Sequence, residues 1–366
     1  MQILQNIWSA KDGWHDLADT PIDPQLVLVF AARELLDQSR AYDIVAQRFP
    51  NADIAVCSTA GEIFNTRVLD DTLTTTAIQF EQTQIHALQT QLADGGDCRD
   101  AGRRLGRKLH RADLVHVLVL SDGLEVNGSE LAAGINEEVP STATVTGGLA
   151  GDAHRFERTL VGLNGEHAPG NVVAIGFYGG NLQIGHGSLG GWDPFGPDRL
   201  ITKSSGNKLF ELDGRSALQL YREYLGDYAT QLPASGLLFP LLVHGGEDDR
   251  GLVRTVLAVD DAEQNMTFAG DVPEGGYARL MKANFDRLID GAHGAAKACQ
   301  PINGNTPPDL AILISCVGRK LVLQQRIEEE VESVRQVLGD KPAFTGFYSY
   351  GELSPVVDTT KCALHN

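Results

Sequence analysis

Three short stretches of this 366-residue chain carry similar residue types in the same order: Ser58-Thr59-Ala60-Gly61-Glu62, Gly147-Gly148-Leu149-Ala150-Gly151-Asp152 and Tyr348-Ser349-Tyr350-Gly351-Glu352. Each ends in glycine followed by an acid. Carboxylates at such turns attract an ammonium group, and the hydroxyls of Ser58, Thr59 and Ser349 offer neutral hydrogen bonds. A fourth stretch, Ser315-Cys316-Val317-Gly318-Arg319, adds a guanidinium, the best bidentate partner of a carboxylate. The set suits an amino-acid-like ligand, with Arg319 on its carboxylate and Glu62, Asp152 or Glu352 on its amine. Trp192, Tyr348 and Tyr350 supply aromatic faces for an apolar or cation–π wall. Plainer uses compete with each of these: turn chemistry for the Gly-acid pairs, an ordinary ion pair for Arg319, core packing for the aromatics.

Two other chemistries compete. Haem iron takes an axial ligand, most often histidine. Of ten histidines, His186 in Gly185-His186-Gly187 and His244 after the apolar run Leu237–Val243 are the candidates. No Cys-x-x-Cys-His is present, which excludes covalent c-type haem. Cys57 and Cys316 stand at predicted strand ends, and either becomes a nucleophile only beside a positive group or a helix N-terminus. Gly-x-Ser-x-Gly, Walker and His-Glu-x-x-His motifs are absent. The expectation is therefore a non-catalytic binding protein.

The elements that must position these groups repeat. Leu26–Phe30, Leu114–Leu120 and Leu310–Ile314 are short aliphatic runs without alternation, as in strands covered on both faces. Helical patterns follow over Arg33–Arg48, Gly128–Glu138 and Leu321–Leu338, with Glu328–Glu330 as the solvent face of the last. Prolines 50, 140 and 342 close them. A second apolar run then leads into each Gly-acid turn. Right-handed crossovers make such pairs parallel, and gather the turns at strand C-terminal ends, where open α/β sheets bind ligands.

Other stretches read as antiparallel: Thr72–Phe80 with Gln84–Leu92, Asn171–Tyr178 with Leu182–Gly187 across Gly179-Gly180-Asn181, and Val253–Val259 with Met266–Ala269. The fold class predicted is α/β: two domains with mixed sheets built on repeated strand–helix–strand units. The Gly- and Pro-rich stretch Gly187–Lys203, and a helix over Ser216–Tyr224 capped by Asp213, put the division near residue 225, giving 1–225 and 226–366. Pro301–Pro308 reads as a further loop.

A formal charge of −18 without a basic run excludes a phosphate-tracking groove and disfavours anionic membranes. Five cysteines without a Cys-x-x-Cys pair suggest reduced thiols and a cytoplasmic protein. Met1–Trp8 lacks the pattern of a signal peptide, and no apolar run approaches the ~20 residues of a membrane span.

On Cys57–Ile63, Gly147–Asp152, Ser315–Arg319 and Tyr348–Glu352 the chain resembles the FIST proteins, over nearly its whole length. Leu364-His365-Asn366 is similar to that family's closing motif, after which members run on for another short stretch, so a shortened form or a further tail is expected. The resemblance implies an intracellular sensor of small ligands such as amino acids. It also implies a signalling partner, such as the histidine kinase of a two-component system, and is compatible with a homodimer. The NosP group, similar in plan, binds haem to sense nitric oxide, which keeps haem as an alternative cofactor.

Overall fold

Three strand–helix–strand units organise the chain. In the first, strand β1 (Leu26–Ala32) leads through helices α1 (Arg33–Gln38) and α2 (Ala41–Arg48) to β2 (Asp53–Thr59) and then β3 (Glu62–Phe64). The second runs β4 (Leu114–Ser121), α3 (Gly128–Glu138), β5 (Thr144–Leu149) and β6 (Val161–Leu163). The third runs β7 (Leu310–Cys316), α4 (Val317–Leu323), α5 (Ile327–Leu338), β8 (Ala343–Ser349) and β9 (Gly351–Pro355). The computed structural model describes residues 1–9, 11–16, 21–38, 41–92, 96–165, 167–246, 249, 251–299, 307–356 and 359–365. Most of the Pro301–Pro308 loop, the middle of the Arg33–Arg48 stretch and Asn366 lie outside them.

In every unit the first two strands pair in parallel: β1 with β2, β4 with β5, β7 with β8. The third strand leaves its own unit and pairs antiparallel with the second strand of another. β3 joins β8, β9 joins β5 and β6 joins β2. The exchange closes on itself, so each unit is held by both others. The sheets accordingly mix early and late sequence. One runs Cys362–His365, β9, β5, β4, Asn171–Tyr178, Gln84–Gln91, and another runs β7, β8, β3, Arg67–Leu69. Phe30 of β1 and Phe347 of β8 meet across units with ring centroids 4.8 Å apart. Burying each such ring stabilises by ~1.5–3 kcal/mol.

The remaining elements differ from the sequence reading in instructive ways. Gln84–Gln91 does not pair with Leu73–Gln79 but with Asn171–Tyr178 in a different sheet. Asn171–Tyr178 lies between β4 and Gln84–Gln91, so neither edge is free and Leu182–Gly187 forms no hairpin with it. The Gly- and Pro-rich Gly187–Lys203 stretch contains most of a long bulged strand, Asp193–Ser205, in an eight-stranded sheet. Helix Ala217–Leu225 is capped by Ser216 rather than Asp213. Asp213 instead accepts from the Leu200 N–H and pairs with Arg199. The Leu321–Leu338 helix is two helices separated by a short 3-10 turn.

Candidate functional site

The three Gly-acid turns meet where the exchanged strands cross, and their backbones are laced together. Ala60 N–H donates to the Tyr348 carbonyl at 2.8 Å, Gly151 N–H to Ser58 at 3.0 Å and Tyr350 N–H to Leu149 at 3.2 Å. Their side chains are not pooled. Glu62 is fully buried and accepts from Thr59 Oγ1 at 2.5 Å, Thr72 Oγ1 at 2.6 Å and the Thr72 N–H at 3.3 Å. Burial raises its pKa to about 7 against the pull of those donors and of Lys320. Asp152 is equally buried and accepts from Arg33 Nε at 3.0 Å and Arg155 Nε at 2.7 Å. Glu352 accepts from Ser349 Oγ at 2.5 Å.

A buried carboxylate needs a charge partner or close hydrogen bonds, and the quasi-threefold plan shows how each is served. Lys320 of α4 reaches the turn of the first unit, donating to the Ala60 carbonyl at 2.8 Å. Arg33 of α1 reaches Asp152 in the second unit. The corresponding loop between β4 and α3, Asp122–Asn127, holds no lysine or arginine. Among the described residues only Asp152 of the three has an ion pair; Glu62 and Glu352 each feel a nearby cation, Lys320 and Arg319 respectively, that is bonded to another acid. Burial raises the Glu352 pKa to about 8, with Glu330 adding to the rise and Ser349 and Arg319 opposing it.

Glu352 is also the one of the three acids that faces open space. It lines a cavity of about 1450 Å³ enclosed by segments from both halves of the chain. The walls include Leu26, Leu28, Phe80, Leu118, Phe177, residues 181–190 and Trp192 from the first half. From the second half come Val253, Ala292, all of β7, Arg319, Glu330, Val334 and His365. The lining is mostly aliphatic and aromatic, and its polar residues include Glu352, Arg319, Glu330, His116 and His186. The half-buried surface of Glu352 is thus cavity surface, which is why burial still dominates its protonation.

Of the expected binding residues, Trp192, Cys316, Arg319 and Glu352 line the cavity, and Gly148 adjoins it. A Cβ on Gly148 would sit 2.7 Å from Ile314 Cγ2, so glycine lets β5 approach β7. Ser58, Thr59, Glu62, Asp152, Tyr348, Ser349 and Tyr350 are absent from the wall. The single pocket shared by Glu62, Asp152 and Glu352 is thus not what the fold builds: the first two are consumed by Thr72 and by the Arg33–Arg155 pair. Tyr348 is buried and donates to Glu330 Oε2 at 2.9 Å, while Tyr350 stacks on Phe156 at 4.7 Å between ring centroids. Trp192 lies not in an exposed loop but against Met281, Leu288, Val322 and Leu323, 8% exposed.

Arg319 is already engaged. Its Nε donates to Glu330 Oε1 at 2.5 Å and its other nitrogens to the Gly190 and Leu288 carbonyls at 3.3 and 2.5 Å. It pins the 181–192 segment and helix Phe285–Ala298 to α4, shaping the cavity rather than offering a free guanidinium. Cys316 caps α4, its Sγ accepting from Gly318 N–H at 3.4 Å, and burial pushes its thiol up to about 12. Burial likewise raises Cys57, aided by Asp122. Neither thiol has the depressed pKa of a nucleophile.

His186 lines the cavity, and no hydrogen bond occupies its ring among the described residues. Desolvation lowers its pKa, so the imidazole is neutral near pH 7. His244 is elsewhere, bonded to Asp198 at 3.1 Å and the Gly246 carbonyl at 3.0 Å. Sequence reasoning missed two residues. His116 lines the cavity, held by Thr144 Oγ1 at 2.7 Å and Thr146 Oγ1 at 3.0 Å, and burial lowers its pKa to about 3. Glu330, read as part of a solvent face, is 4% exposed and joins Ser315, Arg319 and Tyr348. Its signal was available: it precedes Val334 by four residues, on the apolar stripe of α5.

Comparison with known proteins agrees with this architecture. The FIST N domain matches residues 25–215 and the FIST C domain residues 217–355. An uncharacterized protein of Methanocaldococcus jannaschii is 26% identical over 58% of this chain, which spans 41% of that relative's length. Two uncharacterized Mycobacterium tuberculosis proteins are 26% identical over 70% of the chain and 66% of their own. A chorismatase crystal structure aligns over 99% of this chain and 96% of its own at 10% identity, with a TM-score of 0.34. Matched across both of its domains by one family of sensory modules, the chain belongs to the FIST family.

Proposed function

We propose that this protein is a cytoplasmic sensor that binds a small ligand with an apolar body and an amine head in the cavity between its halves, and signals to a partner such as a histidine kinase. The observation that carries the reading is Glu352: alone of the three acids it lines the mostly apolar cavity, and it has no ion pair among the described residues. An ammonium group would supply that ion pair. The refinement over a plain amino acid follows from Arg319, whose engagement with Glu330 leaves no guanidinium for a ligand carboxylate. Five free cysteines accord with a reducing compartment.

Ionising Glu352 against an ammonium releases its proton. Affinity therefore rises with pH through about 8 and levels off above it. Thermal-shift screening of alkylamines and arylalkylamines at pH 6.5 and 8.5 tests this: hits are expected to be stronger at the higher pH and to vanish in Glu352→Gln. Hits that ignore both pH and the substitution would refute the assignment.

A second reading rests on His186, a neutral imidazole with no hydrogen-bond partner among the described residues, which lines the cavity together with Phe177 and Leu182. Those residues would hold haem, with His186 on the iron, and the iron would bind a gas such as nitric oxide. The same purified protein decides between the readings: a Soret band lost in His186→Ala but kept in His244→Ala favours haem, and its absence after haem addition favours the amine.

A further inference from the structure

The first strands of the three units are alike in composition, yet they are not alike in their surroundings. β1 is sandwiched between β2 and an antiparallel strand, Leu73–Gln79. β4 is sandwiched between β5 and an antiparallel strand, Asn171–Tyr178. β7 pairs with β8 on one edge, and among the described residues nothing pairs with the other. Exposure follows. Every residue of β1 is buried, whereas Leu310 to Ser315 of β7 are all partly exposed, on both faces of the strand. Exposure that ignores the two-residue alternation comes from an open edge, not an open face. The sequence Leu-Ala-Ile-Leu-Ile-Ser-Cys has no charge, proline or bulge to guard such an edge.

The open edge faces the cavity: all seven residues of β7 line it. At about 1450 Å³, the cavity exceeds the ~300–1,000 Å³ usual for a small-molecule pocket. We propose that the free edge of β7 accepts an extended peptide strand from a partner, antiparallel to β7, entering at Cys316 and ending at Leu310. The direction follows from the other two units, where Leu73 lies opposite Ala31 and Val172 opposite Ser121, so the added strand starts at the C-terminal end of the first. Seven residues at ~3.3 Å each cover the edge. The partner's side chains that face the cavity are apolar, matching its mostly aliphatic and aromatic lining. A basic flank suits Glu352, which lies near the Cys316 end and has no ion pair among the described residues.

The test uses the 366-residue protein and a soluble peptide carrying the sequence of Leu73–Gln79 between lysines. Hydrogen exchange is followed at Leu310–Cys316, with Leu26–Ala32 as the internal reference. In the free protein, the β7 amides are expected to exchange at least tenfold faster than those of β1. Saturating peptide is expected to slow them at least tenfold, and a peptide with proline at its central position is expected to do nothing. The proline control sits in the peptide, so it leaves the folding of the protein untouched. Equal protection of β7 and β1 without peptide, equal effects of both peptides, or protection that rises with protein concentration alone would each overturn the proposal. None of these readouts involves Glu352 titration or haem absorption, so failure here and failure of the sensor reading remain distinguishable.

Discussion

Replacing Glu352 with glutamine keeps the acceptor for Ser349 Oγ and removes the ionisation. Burial moves the Glu352 carboxyl from 4.5 to about 8, which at ~1.36 kcal/mol per pH unit corresponds to an upper bound of roughly 5 kcal/mol between its two protonation states. The sign follows from proton counting. Between pH 4.5 and 8 the folded protein holds a proton at Glu352 that the unfolded chain has lost, so unfolding releases it and stability falls as pH rises. The contribution is complete below the unfolded pKa and is lost as pH passes through the folded one. From pH 5 to pH 8 the wild type should therefore lose stability that Glu352→Gln retains. Even after allowance for the cavity surface the side chain shows, the variant's advantage should grow by about 2–3 kcal/mol over that window. Urea unfolding at pH 5, 6, 7 and 8, followed by fluorescence and circular dichroism with coincident transitions, measures it. Parallel pH profiles for the two proteins would show that Glu352 ionises freely, and the argument from its desolvated carboxyl would fall.

Two further outcomes follow from the geometry. Arg319→Met strands Glu330 in the interior and should destabilise by about 3–5 kcal/mol, while adding Glu330→Gln should recover most of the loss; urea midpoints of the single and double variants check this, and an additive double variant would refute the coupling. The native thiols should resist a disulfide reagent at pH 8, with the partly exposed Cys98 and Cys299 reacting before Cys57, Cys316 and Cys362. Rapid labelling of Cys316 would instead restore it as a nucleophile.

Much of the frame was legible in the sequence, because the signals that encode it are local. Aliphatic runs without alternation mark strands covered on both faces, and the three copies of run, helix, run and Gly-acid turn mark the units. What pairs with a strand's far edge is not local. Gln84–Gln91 alternates as a hairpin partner would, but its partner is Asn171–Tyr178, some eighty positions later, because the nearer strand is already enclosed by β1 and by Gln2–Ser9. Leu182–Gly187 failed as a strand for the same reason: the edge it needed was occupied.

The site was legible by residue type but not by role, and the quasi-threefold plan explains why. The three turns are near-equivalent in sequence, so sequence alone assigns them one task. Their fates are decided by residues outside the turns: Thr72 and Lys320 for Glu62, Arg33 and Arg155 for Asp152, and, for Glu352, an Arg319 already bonded to Glu330. Arg319, the strongest candidate by type, is claimed by Glu330, eleven residues on and hidden in a run of three glutamates. Here the repeated fold pairs Asp152 with two arginines and encloses Glu62, while the third copy meets the cavity. Among the described residues, Glu352 and the unpaired edge of β7 both belong to the third unit and both face that cavity.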